Sequence, residues 1–146
     1  MFSRILMVCV GNICRSPMAE VLSRAAFADQ VPNLRVESAG LAALTGKPAD
    51  PLAQNLMRER GLDLSGHLAR QLTGDLLRNF ELVLVMEAWH VKEVERLSPV
   101  SRGKVFRLGH WRDFDIPDPY RRPSAAFEEA VAGIERGLED LRKVLR

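Results

Sequence analysis

The chain has 146 residues, of which 47% are hydrophobic and 27% charged, with a formal net charge of +2. This length suits one domain that buries roughly 70% of its unfolded surface, and we expect a single domain over 1–146. No basic run exceeds two residues, so the charge gives no support to nucleic-acid binding. The apolar run at 5–10 is too short for a signal peptide or a membrane span. We therefore expect a cytoplasmic protein with no membrane insertion.

The two cysteines, Cys9 and Cys14, lie close together in one short segment. Secreted disulfide scaffolds spread cysteines along the chain, so this pattern argues against such a scaffold. A zinc site would need further ligands, and the three histidines show no ligand-like spacing. We therefore predict no metal and no cofactor. Either one thiol is reactive, or both are inert.

The first elements follow from apolar patterning and helix-start residues. The continuous apolar run Ile5–Cys9 predicts a parallel strand covered on both faces. Ser16 and Pro17 suit the N-cap and the first residue of a helix, which Pro32 ends. A second strand is predicted over Leu34–Ser38.

The later elements continue this alternation. They are a helix from Asp50-Pro51 to the stop at Gly61, a short helix at 73–78, a strand at 82–86, a helix at 88–97 and a strand at 104–108. The last helix carries an apolar seam that should pack inward, namely Phe127, Val131, Ile134, Leu138, Leu141 and Leu145. Strands alternating with helices favour an α/β fold, a parallel sheet with helices on both faces. Ligands bind such sheets at the carboxyl ends of strands, where the cysteine segment begins.

The segment 9–16, C-V-G-N-I-C-R-S, joins the first strand to the first helix. Gly11 allows the backbone to curl, and Asn12 tolerates a positive φ, so successive amides can face one concavity. The positive end of the helix attracts an anion, and the planar guanidinium of Arg15 can donate to two phosphate oxygens. These charges favour the thiolate of Cys9, to which Ser16 can donate a hydrogen bond. Alternatively, Cys9 is an inert buried thiol.

The run V-C-V-G-N-I-C-R-S-P resembles the signature loop of the low-molecular-weight protein tyrosine phosphatases. Three further segments, at 37–40, 66–70 and 116–120, occur in the order and spacing of that family. The resemblance implies a four-stranded parallel sheet of order 2-1-3-4. It also implies hydrolysis of phosphotyrosine through a phosphocysteine intermediate, without a metal.

The resemblance assigns Cys9 as nucleophile, Arg15 as phosphate clamp and Asp118 as general acid. Asp113 and Asp115 are nearby competitors for the last role. The residues implied to bind phosphate are Val10, Gly11, Asn12, Ile13, Cys14, Arg15 and Ser16. Ser38 and His67 are implied to complete a hydrogen-bond network with Asn12 and Ser16.

Tyr120 is expected to form one wall of the substrate slot. Leu44 and Arg121 stand where eukaryotic members carry aromatic residues, which removes stacking surface and adds positive charge at the rim. Segments 109–111 and 116–121 resemble bacterial members paired with autophosphorylating tyrosine kinases of capsule and exopolysaccharide export. A tyrosine-phosphorylated protein of this kind is the expected partner, and we expect a monomer or a weak dimer.

Other functions stay open at this stage. A thiol-dependent arsenate reductase of similar fold needs extra cysteines to relay a disulfide, and the chain has none beyond Cys9 and Cys14. A non-catalytic phosphate-binding or redox-sensing module would need no acid at Asp118. Because both thiols lie in one curled loop, we also expect Cys14 to be a redox partner of Cys9.

Overall fold

The computed structural model describes residues 2–145. Four strands are observed, β1 Arg4–Cys9, β2 Arg35–Gly40, β3 Leu82–Val85 and β4 Val105–Arg107. Five α-helices are observed, α1 Arg15–Phe27, α2 Pro51–Glu59, α3 Gly74–Leu77, α4 Ala88–Leu97 and α5 Ser124–Val144. Every predicted strand and helix is therefore present, with small differences at the ends. Between residues 2 and 145, no helix is both long and apolar enough to cross a membrane.

The four strands form one parallel sheet in the order β2-β1-β3-β4. This confirms the order that the family resemblance implies. β1 lies between β2 and β3, and its last residue, Cys9, pairs with Gly40. The segment that follows Cys9 therefore starts at the middle of the sheet, at its carboxyl edge.

Both faces of the sheet are covered, as the apolar runs predict. Ile5 and Met7 of β1 face a core formed with α1, α2 and α5. Leu6 and Val8 face a second core formed with α3 and α4. Residues 5–9 of the strand are all apolar and buried because neither face of the sheet meets water there. All six residues of the predicted seam in the last helix are buried, namely Phe127, Val131, Ile134, Leu138, Leu141 and Leu145.

The predicted start and end of α1 are wrong. Cys14 is the N-cap and makes no side-chain cap bond, while Ser16 already lies inside the first turn. The Ser16 hydroxyl cannot cap the helix because it contacts the Cys9 sulfur instead. The helix ends at Phe27, ahead of Pro32, and is followed by a turn in which Val31 N donates to Phe27 O and Val31 is buried.

Gly40 lets β2 approach the segment after Cys9 closely. A Cβ atom at this position would lie 2.5 Å from Val10 O and 3.1 Å from the Cβ of Asn12. Neither of these neighbours is a flexible side-chain end, so any larger residue must displace the backbone beside Cys9.

We predict that Gly40→Ala lowers the free energy of unfolding by about 1–3 kcal/mol, because the added methyl group overpacks a rigid backbone. It should also weaken the binding of inorganic phosphate to the segment after Cys9. Urea unfolding and competition assays measure both effects. Gly66→Ala is the matched control, since its Cβ meets nothing within 4 Å, and it should change stability by less than about 0.5 kcal/mol. Equal stability of the two variants would contradict the close-approach argument.

Candidate active site

A cavity of about 130 Å³ opens at the carboxyl end of β1. It is lined by Cys9, Val10, Gly11, Ile13, Cys14, Arg15, Ala42, Leu44, Asp118 and Tyr120. The structure thus brings together the predicted nucleophile, phosphate clamp and general acid. Cys9 is only 2% exposed, so this cavity is the route by which a substrate atom can reach its sulfur.

The carbonyl groups of residues 9–14 all accept hydrogen bonds from surrounding parts of the chain. The donors are the amides of Leu41, Ala42, Leu44, Asp50 and Met18, and the ring of His67. None of the amides of residues 11–16 donates a hydrogen bond to another group within 2–145. A peptide unit whose carbonyl is fixed outward directs its N–H inward, so the amides form an anion-binding concavity.

Asn12 holds this curved conformation. Its φ is 60°, as predicted, whereas Gly11 has no left-handed φ, so the left-handed turn of the segment lies at Asn12. The Asn12 side chain donates to Ser16 Oγ at 2.8 Å and to Ser38 Oγ at 3.0 Å. His67 Nε2 donates to Asn12 O at 2.7 Å. The four residues implied to share a hydrogen-bond network are therefore connected through Asn12.

Ser16 lies beside the sulfur of Cys9, with Oγ and Sγ 2.9 Å apart. Ser16 Oγ already accepts a hydrogen bond from Asn12 Nδ2, which leaves its own hydroxyl proton free to point at Cys9. A hydroxyl that donates in this way stabilises a thiolate. The N-terminus of α1, which begins at Arg15, adds a partial positive charge at the same place.

Arg15 is 1% exposed and its guanidinium is held from one side. Nη1 donates to Glu87 Oε2 and to Ile116 O, both at 2.6 Å. Nε is buried and has no hydrogen-bond partner within residues 2–145. Nη2 lies 3.8 Å from Asp118 Oδ2. The Nε and Nη2 edge thus offers the two parallel donors that a phosphate group accepts.

Glu87 is a residue of the site that the sequence interpretation missed. The feature of the sequence that could have indicated Glu87 is its position just after β3, at the sheet edge where ligands bind. His90 Nδ1 accepts the amide of Glu87 at 3.2 Å and that of Met86 at 3.3 Å. Burial lowers the pKa of His90 to about 4, and the charge of Arg15 acts in the same direction. The neutral ring can therefore remain an acceptor that fixes the start of α4.

Asp118 lies at the open side of the cavity, with its side chain 47% exposed. Its Oδ1 accepts the amide of Tyr120 at 3.1 Å, which fixes the carboxyl group relative to its own turn. The competitors Asp113 and Asp115 do not line the cavity, because both pair with Arg107. The Arg107 hydrogen bond also lowers the pKa of Asp113, which disfavours the protonated form that an acid needs.

The remaining predicted residues divide between the cavity and its surroundings. Val10, Gly11, Ile13, Cys14, Leu44 and Tyr120 line it, whereas Asn12 and Ser16 do not and support it from behind. Arg121 is not a lining residue, and its guanidinium lies 5.2 Å from the centre of the Tyr120 ring.

Burial raises the pKa of the Cys14 thiol above its ordinary value, with the charge of Asp50 acting in the same direction. Cys14 is therefore the less nucleophilic type of thiol.

Comparisons with known proteins agree with this geometry. A model of the family "low molecular weight phosphotyrosine protein phosphatase" matches residues 4–146. Over 139 residues the chain is 49% identical to the probable low molecular weight protein-tyrosine-phosphatase EpsP of Ralstonia solanacearum, covering 95% of this chain and 93% of that protein. The solved structure of tyrosine phosphatase Wzb from Escherichia coli K30, in complex with sulphate, has a TM-score of 0.92 and 39% identity, with 100% of both chains covered. The YwlE arginine phosphatase from Geobacillus stearothermophilus has a TM-score of 0.88 and 32% identity, covering 97% of this chain and 92% of that one.

We predict that Arg15→Lys lowers kcat by about 10²–10³, because an ammonium group cannot supply two parallel donors to an oxyanion. The measurement is steady-state hydrolysis of p-nitrophenyl phosphate, with circular dichroism to confirm that the variant is folded. Arg60→Lys is the matched control, since Arg60 forms an exposed ion pair with Glu135. It should retain activity within about twofold. A similar loss in both variants would show that the Arg15 fork is not the phosphate clamp.

Proposed function

The chain belongs to the low molecular weight phosphotyrosine protein phosphatases, and from this premise we propose that Cys9, Arg15 and Asp118 carry out the reaction. The family is one of protein-tyrosine-phosphatases, which use a phosphocysteine intermediate. The observation that carries the assignment is that the sulfur, the guanidinium and the carboxyl group line one small cavity.

In the first step the Cys9 thiolate attacks the phosphorus atom of phosphotyrosine. The S–P bond forms as the P–O bond to the tyrosine ring breaks. The departing phenolate has a pKa near ~10, so it requires a proton. Asp118, at the open side of the cavity, donates this proton to the phenolate oxygen.

In the second step a water molecule attacks the phosphorus atom of phosphocysteine. Asp118, now a carboxylate, accepts a proton from the water as the new P–O bond forms. The S–P bond breaks, inorganic phosphate is produced, and the thiolate returns to Cys9. The hydroxyl of Ser16, 2.9 Å from the sulfur, stabilises the thiolate as leaving group.

The negative charge on the phosphate oxygens is held by protein groups in both steps. The inward amides of the segment 11–16 and the Nε and Nη2 edge of Arg15 supply the donors. Donors that are already oriented need no reorganisation as the charge moves, which lowers the barrier. We therefore propose that catalysis requires no metal ion.

The shape of the cavity favours phosphotyrosine over shorter phosphorylated side chains. The Cys9 sulfur is almost fully buried, so the phosphorus atom must be carried inward on a long side chain. Ile13, Leu44 and Tyr120 supply apolar walls, which suit a flat aromatic ring. Phosphoarginine is long enough, but its guanidinium would lie against these apolar walls.

For the natural substrate we propose an autophosphorylating tyrosine kinase of capsule or exopolysaccharide export, in the cytoplasm. The support is the likeness to EpsP and Wzb and the bacterial pattern of segments 109–111 and 116–121. A reducing compartment also suits a mechanism that depends on a free Cys9 thiol. We propose a monomer or a weak dimer as the acting form.

The assignment is tested by phosphate release from matched peptides that carry phosphotyrosine, phosphoserine, phosphothreonine or phosphoarginine. We expect phosphotyrosine to be hydrolysed at least about tenfold faster than the others, with full activity in EDTA. Cys9→Ser should be inactive because it offers no thiolate, and this variant serves as the background. A preference for phosphoarginine, or a loss of activity in EDTA that a divalent ion restores, would contradict the proposal.

We predict that the effect of Asp118→Asn depends on the leaving group. The amide still accepts a bond from Tyr120 N but carries no transferable proton. Hydrolysis of phosphotyrosine should fall by roughly 10²–10⁴. Formation of phosphocysteine from p-nitrophenyl phosphate, whose leaving group is far more acidic, should fall much less in rapid-quench experiments. Asp113→Asn is the control in the same loop, and an equal loss for both leaving groups would place the general acid elsewhere.

We also propose that Cys14 protects Cys9 by forming a reversible disulfide under oxidation. Peroxide oxidises the thiolate of Cys9 to a sulfenic acid, and the Cys14 thiol then condenses with it, releasing water. In Cys14→Ser, peroxide-inactivated enzyme should recover less activity with dithiothreitol than the wild-type enzyme does. Mass spectrometry should find Cys9 oxidised to sulfinic acid in the variant. Equal recovery in the two proteins would reduce Cys14 to a packing role.

A further inference from the structure

A second depression of about 530 Å³ adjoins the cavity that holds Cys9. Val10 and Ala42 line both depressions, so the two are continuous along this side of the rim. We refer to the second depression as the α4 groove, because α4 forms one of its walls. It takes no part in the mechanism described above.

The wall of the α4 groove is a helix face without a partner. Trp89, Glu93 and Leu97 line the groove and follow one another at intervals of four residues, which places them on the same side of α4. Trp89 and Leu97 are each 48% exposed. Below them, the side chain of Leu72 is buried and forms part of the apolar base. Exposed tryptophan beside an apolar base is typical of a protein-binding surface.

The charged residues of the α4 groove neutralise each other. Arg96 forms an ion pair with Glu93, with a distance of 2.9 Å between Nη1 and Oε2. The groove therefore presents apolar surface with no net charge. A side chain that binds here gains from apolar burial, whereas an acidic or basic side chain would be desolvated without a free counter-ion.

The substrate of the enzyme is a protein, and this determines what must lie across the rim. A cavity of about 130 Å³ has room for the ring and phosphate of phosphotyrosine but not for the polypeptide that carries it. That polypeptide must cross the rim on at least one side. One side of the cavity rim carries Asp118 and Arg121, which are both exposed. Another side is formed by Val10 and Ala42 and leads into the α4 groove.

We propose that the α4 groove binds an apolar or aromatic side chain of the substrate protein, in the segment that flanks the phosphotyrosine. The enzyme would then select phosphotyrosines that have such a neighbour. This inference rests on the proposed function, because it gives the groove a role only if phosphotyrosine enters the Cys9 cavity. It extends that function by naming the chemistry of the flanking segment.

The test uses a series of phosphotyrosine peptides with serine at the flanking positions and a single leucine moved through them in turn. We expect the wild-type kcat/KM to rise when the leucine lies at the peptide position from which its side chain reaches the groove. This position should be on one side of the phosphotyrosine and at one distance from it. The rise should be about tenfold, the gain expected from burying roughly half of a large apolar side chain. The unsubstituted serine peptide and p-nitrophenyl phosphate provide the reference values.

Trp89→Ala and Leu97→Ser should each remove most of this preference for leucine. The quantity compared is the ratio of kcat/KM for the best leucine peptide to that for the serine peptide, so general damage to the cavity cancels. Val100→Ser is the matched control, because Val100 is 83% exposed and lies outside the groove. Its ratio should equal that of the wild-type enzyme.

Three results would overturn the inference. If leucine at every position gives the same kcat/KM, the groove has no role in selection, although the proposed function stands. If no phosphotyrosine peptide is hydrolysed, the proposed function itself fails. If the wild-type enzyme forms a dimer in sedimentation that Trp89→Ala abolishes, while the leucine preference is unchanged, the groove binds a second copy of the chain instead.

Discussion

The structure of the site depends on one constraint, which is that the carbonyl groups of residues 9–14 are all held away from the cavity. The donors that hold them come from the segment after β2, from Asp50 ahead of α2, from His67 and from Met18 of α1. Asn12 makes the constraint possible, because its left-handed φ turns the chain while its side chain bonds to Ser16 and Ser38. Four separate parts of the fold thereby orient one row of amides.

The burial of Arg15 follows from the same arrangement. A guanidinium that is 1% exposed loses its hydration, and this cost is offset by Glu87 and by Ile116 O. Because both partners bind Nη1, the opposite edge of the group keeps its donors for an oxyanion. The Glu87 carboxylate also leaves the empty site with less positive charge than Arg15 alone would give. The free edge of Arg15, the proposed phosphate clamp, is thus fixed in direction before substrate arrives, and donors oriented in advance are the basis of electrostatic catalysis.

Asp118, the proposed general acid, is held in a different way, on a surface loop and not in the core. Ion pairs hold this loop in place. Arg107 pairs with Asp113 and Asp115, and Arg112 pairs with Asp140 of α5. Asp115 also accepts the amide of Ala88, at the start of α4. Three aspartates close together in sequence therefore have different tasks, because only Asp118 points its carboxyl group toward Arg15.

The sequence alone determined the features that depend on neighbouring residues. Apolar runs located the strands, the spacing in the last helix identified its buried seam, and the segment 9–16 showed an anion site with a thiol and an arginine. The residues by themselves did not determine the order of the strands, since an apolar run does not say which strand lies beside it, and here the family resemblance supplied the answer. The groups that hold Arg15 could be identified only from the three-dimensional fold, because Glu87 and Ile116 are 72 and 101 residues away along the chain. The same holds for the groove beside the cavity, whose walls meet only when the loop after β1 and the helix after β3 reach the same edge of the sheet.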